Sequence, residues 1–534
     1  MADTNQAAPR TNGHAITLAR DLGLLALVAT AVCNVIGGGI NVLSVGIQQK
    51  VPGIGPYVPF VFVLGVFPAL FTALCYAVLA SAMPRAGGGY IYVSRALHPF
   101  LGFMATFSKW FGLSAVIGVI AYMDVALLES GIGYLSPYVN VGPVFAFLSS
   151  PIAKLVIPLL MIWLFWLVNV LGVRTYGWTV IVLMFLMLLG GLAIIITGFT
   201  SSPQDFAAAF AANPGAAMTS VLAGAGLAGA SMSDIAAQID YSPGGLIEIL
   251  KSAAWLFFAY IGFASISQAG GEARNASRNL PRAFIIATIV ICSYYLLFSA
   301  AVYHAIPWRF IAGFVKAAPA DASVPLLIGV LMPPALASFV ALMAALALAN
   351  DIPPMLLATS RPFFAWARDG IFPRGLASIN GRFRTPHWAL TACALVATAF
   401  VLLCYRWESY FAGVDTVIIA LTFTYILISI SVLSLPRCNP QICRRVTFIR
   451  SRPAQITVAC LAIVFLVPLL ILEILLLGRA SAVFWLGAMC VGALLFIICW
   501  FAAKARGANL RQVFAALPTT AEDVELAPGP IIED

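Results

Sequence analysis

From Trp178 to Ile195 the chain reads WTVIVLMFLMLLGGLAII, without one ionisable side chain. Runs of this kind recur along nearly the whole sequence, and no water-facing surface can be drawn from them. A hydrocarbon core about 30 Å thick needs roughly 20 apolar residues per helix. Segments that meet this fall at about 22–49, 55–83, 101–135, 152–172, 175–199, 248–271, 282–305, 333–360, 386–405, 411–435, 454–477 and 481–503. They predict an all-α polytopic membrane protein with about twelve transmembrane helices. Composition agrees: of 534 residues 62% are hydrophobic and 9% charged, against about 25% charged in soluble domains.

Twelve spans put both termini on one side. Most of the 29 Lys and Arg residues also fall on that side, among them Arg85, Arg95, Arg274, Arg361, Arg382 and Arg445. The positive-inside rule then places both termini in the cytoplasm of a multi-pass protein of the plasma membrane. The net charge of +9 is thereby a topology signal, and no nucleic-acid partner is needed to explain it. The partner is the lipid bilayer.

The chain divides into a cytoplasmic segment 1–20, a core 21–435, two additional spans within 436–503 and a cytoplasmic tail 504–534. The stretch 200–247 is rich in Ala, Gly and Ser and predicts a long outer loop with a short amphipathic piece. The cysteines lie mostly in apolar runs, where they act as small hydrophobes. Segment 136–150 has no Cys, so no disulfide-linked subunit is expected there. The four histidines (14, 98, 304, 387) are dispersed. With no nucleophile cluster, neither an enzyme, a metal site nor a cofactor is expected.

Two spans are interrupted. VIGGGIN (35–41) places three glycines inside the first, each costing about 1 kcal/mol in a helix interior. The sixth, WLFFAYIGFASISQAGGEA, has Gly262 at its centre. A backbone break at membrane depth is tolerated only where it is buried in protein or lines a cavity. The first and sixth spans correspond in two five-helix halves, the pattern of an inverted-repeat transporter with its site at the midplane. The plainer reading is a pair of small-residue packing patches.

Four motifs carry a family resemblance: NVIGGGI (34–40), MPRAGGGYIYVSRALHPFLGF (83–103), FFAYIGFASISQAGGEARNASRNLPRA (257–283) and SRPFFAWARDGIFPRGLASINGRFRTP (360–386). In this order and spacing the chain resembles the amino acid–polyamine–organocation (APC) superfamily of secondary transporters. The resemblance implies a LeuT-like 5+5 inverted repeat plus two helices. It implies substrate binding by Val35, Gly37, Gly38, Gly39, Phe258 and Ile261. The substrate carboxylate would meet the N–H groups of Gly38 and Gly39. Its ammonium would meet the carbonyls of Val35, Phe258 and Ile261, with Phe258 also as lid. By position in the family core, Leu113, Val116 and Met355 would face the substrate side chain, and all are apolar.

The chain departs from the family in three places. The fifth-helix lysine position falls near Met187 in a span without ionisable residues, Ala264 stands at the sixth-helix acid of cationic-substrate antiporters, and Asn41 at the aromatic after the glycines. Asp351, in LANDIPPM ahead of Pro353 and Pro354, is therefore the coupling candidate. An intramembrane carboxyl is a functional hypothesis by default, and its alternative is a structural role at a proline kink. A sodium ion at Thr359 or Ser360, or uncoupled exchange, are the other coupling modes. Asp124 is expected to face an outer vestibule, and Glu473 to lie near the outer surface. Arg85, Glu272, Arg278 and Asp369 would form an inner gate or anchor helix ends. The expected activity is amino acid permeation of neutral, apolar substrates with a proton or sodium ion. The alternatives are a polyamine or cationic amino-acid carrier or exchanger, and a non-transporting sensor.

Overall fold

The computed structural model describes residues 18–37, 39–319, 321–407, 411–477 and 479–505. The first third holds helices α1 (Leu24–Cys33), α2 (Ser44–Lys50), α3 (Val58–Ala82), α4 (Gly88–Ala96), α5 (Pro99–Gly133), α6 (Gly142–Leu148), α7 (Pro151–Val170) and α8 (Val173–Thr200). The middle holds α9 (Pro203–Ala212), α10 (Ala216–Gly224), α11 (Met232–Ala237), α12 (Leu246–Leu256), α13 (Ser265–Gln268), α14 (Ala276–Ala305), α15 (Trp308–Ala317) and α16 (Val324–Ile328). The last third holds α17 (Pro334–Arg368), α18 (His387–Trp407), α19 (Phe411–Cys438), α20 (Pro440–Cys443), α21 (Arg452–Leu472) and α22 (Arg479–Ala505). Among the described residues, β pairing is confined to two isolated bridges, Leu22 with Ala273 and Ala86 with Ala269.

Ten helices among the described residues are long and apolar enough to cross a membrane, against the twelve expected. The two expected spans missing as continuous helices are 22–49 and 248–271, the two read from the sequence as interrupted. Each is divided: α1 and α2 flank the first interruption, α12 and α13 the second.

The long outer loop is also corrected. Segment 200–247 folds into α9, α10 and α11, with α9 and α10 meeting at 80°. Ser202 with Asp205 and Ser231 with Asp234 form capping boxes that start α9 and α11. Each side-chain oxygen satisfies an N–H that the first helical turn leaves unpaired. The Ser231 hydroxyl and backbone N–H hold the Asp234 carboxyl below its usual range.

Helices α5, α17 and α19 form the centre, with 72%, 67% and 78% of their apolar windows buried. The windows of α7, α21 and α22 are 22%, 22% and 28% buried. Their outward faces carry large apolar side chains, such as Leu160, Val464, Ile498 and Phe501, all exposed. Burying such side chains is worth about 1.5–3 kcal/mol each. A ring of them left uncovered matches a lipid environment and not water. Helix α17 continues through Pro353 and Pro354. Those prolines have no N–H, so the carbonyls of Ala349 and Asn350 lose their ordinary helical donors beside Asp351.

Candidate functional site between two broken helices

After Cys33 the chain leaves the α-helix in a turn, Asn34–Gly37, and resumes as a wide π turn over Gly39–Leu43. After Leu256 the second interruption narrows to a 3-10 turn, Phe257–Tyr260, followed by Gly262 at φ 139°. That φ is one that a side chain rarely tolerates. The two interruptions lie against each other. The Asn34 side-chain amide donates to the Gly262 carbonyl at 2.9 Å. The Tyr295 hydroxyl on α14 reaches the Ala259 carbonyl at 2.7 Å and the Val35 carbonyl as well. A Cβ on Gly39 would lie 3.0 Å from Ala259 Cα, and one on Gly262 would strike the Asn34 carbonyl group. The glycines therefore let backbone meet backbone, a role distinct from the ligand approach expected from the sequence.

Between the interruptions lies a cavity of about 10 Å³, lined by Asn34, Val35, Gly39, Leu113, Val116, Ile261, Asp351, Met355 and Val417. It has room for about one water and is far smaller than the roughly 300 Å³ at the low end of ligand pockets. The conformation is closed around this point. Val35, Gly39, Leu113, Val116, Ile261, Met355 and Asp351, all singled out in the sequence, converge here from α5, α17 and the two interruptions. Gly37 adjoins the wall: a Cβ on it would sit 2.5 Å from Asp351 Cγ. Gly38 and the Phe258 side chain lie outside the described residues. Asn34 and Val417 were missed. Asn34 heads the glycine motif, which was its signal; Val417 had none in an evenly apolar span.

Buried ion pairs flank the cavity. Arg361 on α17 grips Glu272 in two places, at 2.6 and 3.2 Å, with both side chains fully enclosed. Arg95 pairs with Asp369 at 2.7 Å. Two residues of the expected inner gate thus have partners outside it, while Arg278 is exposed. Arg85, in the loop before α4, is pushed down to about 10 by burial and by the Arg368 guanidinium. On the far side of the cavity, Lys50 at the end of α2 binds Asp415 at 2.9 Å, and Trp255 of α12 donates to the same carboxylate at 3.2 Å. Glu473, expected near the outer surface, is fully buried beside Asp415. Asp124, expected in an open vestibule, is 2% exposed.

The amino acid permease family model matches residues 22–482. The chain is 26% identical over 393 residues to the vacuolar cationic amino acid transporter 4 of Arabidopsis thaliana, covering 72% of this chain and 58% of that protein. To the vacuolar cationic amino acid transporter 2 of the same plant it is 26% identical over 444 residues, 80% of this chain and 62% of the relative. To the branched-chain amino acid permease BcaP of Bacillus subtilis (strain 168) it is 24% identical over 383 residues, 70% and 72% respectively. The chain thus spans less than two thirds of the length of the two plant transporters.

Proposed function

Because the chain belongs to the amino acid permease family of the APC superfamily, we propose that it is a secondary active transporter of neutral, mostly apolar amino acids. Substrate binds between the two interruptions, and the protein works by alternating access. The observation that carries this reading is the cavity itself: apolar side chains of Leu113, Val116, Ile261, Met355 and Val417 surround one carboxyl, Asp351.

In this reading the substrate carboxylate approaches the N–H groups of Gly38 and Gly39, and its ammonium the carbonyls of Val35, Phe258 and Ile261. The Val35 carbonyl shares its lone pairs with the Tyr295 hydroxyl. Asp351 decides the coupling. Its carboxyl abuts Gly37, next to the Gly38 and Gly39 N–H groups that would receive the substrate carboxylate. Two anions at about 4 Å repel by about 4 kcal/mol in a protein-like dielectric, roughly a thousandfold in affinity. Protonated Asp351 removes that repulsion, so proton and substrate bind together. A sodium ion at Ser360 has less support, since that hydroxyl already accepts from the Arg361 guanidinium at 2.7 Å. A cationic substrate is the second reading. An ionised Asp351 would hold its extra charge, in line with the names of the two plant relatives.

The ten continuous helices and two interrupted ones add up to the twelve of a LeuT-like 5+5 repeat with two helices added, the core being 21–435. Basic residues crowd the loops on the side of the termini, which supports cytoplasmic termini. The plasma membrane is the proposed location, and vacuolar relatives make a vesicular membrane the alternative. The test is uptake by the purified full chain in vesicles, against a panel of neutral and cationic amino acids and amines, under imposed proton and sodium gradients. Uptake of neutral amino acids driven by a proton gradient is expected. Uptake confined to arginine or putrescine supports the second reading, and binding without uptake makes the protein a sensor.

A further inference from the structure

Lys109 is nearly three turns into the central helix α5, at 2% exposure. It precedes Leu113 by four residues and Val116 by seven, so all three share one face. It therefore stands about 6 Å along the axis from the cavity wall, toward the N-terminal end of α5. Its Nζ has no hydrogen-bond partner, and among the described residues no carboxylate pairs with it. An ammonium has three protons to donate. Enclosing one without an acceptor or counter-charge costs several kcal/mol. Some fifteen ångströms from the end of its helix, at about 1.5 Å per residue, it is also too deep to reach the interface by uncoiling its stem.

The space beneath the cavity repeats this pattern. Gln268, at the end of α13, has neither amide atom satisfied. It and Thr106, one turn from Lys109 on α5, both lie 3.6 Å from the position of a Cβ on Gly89. The Tyr76 hydroxyl, 3.9 Å from that same point, is unpartnered too. Polar groups enclosed without partners in a closed conformation are groups that water or an ion reaches when the path opens.

We propose that Lys109 is a proton-binding site of the transport path, neutral while the path is closed and charged while it is open to water. Its amine takes a proton from water on the open side through its lone pair and returns it to that same water before closure. It thus sets when the path opens, while the proton that travels with substrate is the one on Asp351. The charged form favours the open conformation because only there is the ammonium solvated. The groups on neighbouring helices leave this role to Lys109. Arg361 of α17 is committed to Glu272, Arg95 of α4 to Asp369, and Asp415 of α19 to Lys50. Asp351 lines the cavity above. Tyr90 and Tyr92 of α4, Cys393 and Cys404 of α18, and Tyr425 of α19 are the neutral titratable groups buried on these neighbours. Helices α7 and α22 carry Lys154, Arg479 and Lys504 near their ends, α17, α18 and α19 likewise Arg368, Arg406 and Arg437, and α6 and α10 carry no charge.

The proposal rests on the transporter reading, and two measurements keep their failures apart. In vesicles holding the full chain, Lys109→Met is expected to keep exchange of substrate across the membrane. It should lose the pH dependence of the maximal exchange rate, while accumulation driven by a proton gradient, which Asp351 carries, persists. Lys109→Arg, permanently charged, should lose exchange. A maximal exchange rate in Lys109→Met that depends on pH as in the wild type overturns the proposal while leaving the transporter reading intact. If the variants do not insert, the wild-type chain is labelled with an amine-reactive reagent and Lys109 is followed by mass spectrometry. Modification that rises with pH and with active turnover is expected. Lys109 unmodified at every pH, while Lys154 and Lys251 react, overturns the proposal. A wild-type chain that moves no amino acid or amine instead sinks the transporter reading.

Discussion

The Asn34 amide reaches across to the Gly262 carbonyl at 2.9 Å, joining two interruptions that are 228 residues apart in the chain. Neither helix end could be buried alone, because each leaves backbone groups without partners. Together they satisfy some of one another's needs and leave a small polar opening between apolar walls.

Gly262→Ala should damage this junction. The new methyl would meet the Asn34 carbonyl group, and φ 139° is strained for alanine. A loss of about 1–3 kcal/mol is expected, with transport reduced more than insertion. Thermal unfolding in detergent together with uptake is the check; wild-type values in both would show that the junction yields easily.

Tyr295→Phe keeps the ring against Phe62 and Tyr260, at centroid distances of 5.5 and 5.1 Å. It removes the hydroxyl from the Val35 and Ala259 carbonyls. The variant should lose about 1–3 kcal/mol, since buried acceptors are left bare. Substrate affinity should change as well, because a freed Val35 carbonyl can turn to the substrate ammonium. Equal Kd values for variant and wild type would remove Val35 from the binding site.

Asp351→Asn should bind neutral amino acids with an affinity that no longer depends on pH. Wild-type affinity should weaken as pH rises, since the ionised carboxylate repels the substrate carboxylate. Exchange persists and proton-driven accumulation is lost. Accumulation at the wild-type level under an inward proton gradient without sodium would return Asp351 to a structural role at Pro353–Pro354.

Arg361→Met should be severely destabilising. It strands the Glu272 carboxylate in full burial, and breaking one partner of such a pair costs about 3–5 kcal/mol. The double replacement Arg361→Met with Glu272→Leu should recover most of the loss. If the double variant unfolds as early as the single, the pair does more than neutralise charge.

The sequence by itself determined what each segment can do locally. Continuous apolar runs such as 178–195 fix helices, because in lipid a single segment satisfies its own backbone groups only as a helix. The glycines of the first and sixth spans marked where two helices would fail to continue. The motif resemblance also marked Val35, Gly39, Leu113, Val116, Ile261 and Met355, which the cavity brings together. In the stretch 200–247, Ser202 and Asp205 were a legible start signal that low hydrophobicity concealed. The tertiary structure alone decided who meets whom. Gly39 could be read as a break but not as the neighbour of Ala259, and Glu272 as a helix-end charge but not as the partner of Arg361. Only packing shows that the Lys109 amine is enclosed without a hydrogen-bond partner. The physical reason is that helix propensity and apolar runs are properties of neighbours in the chain. Hydrogen bonds, ion pairs and their absence instead belong to distant segments that only packing brings together.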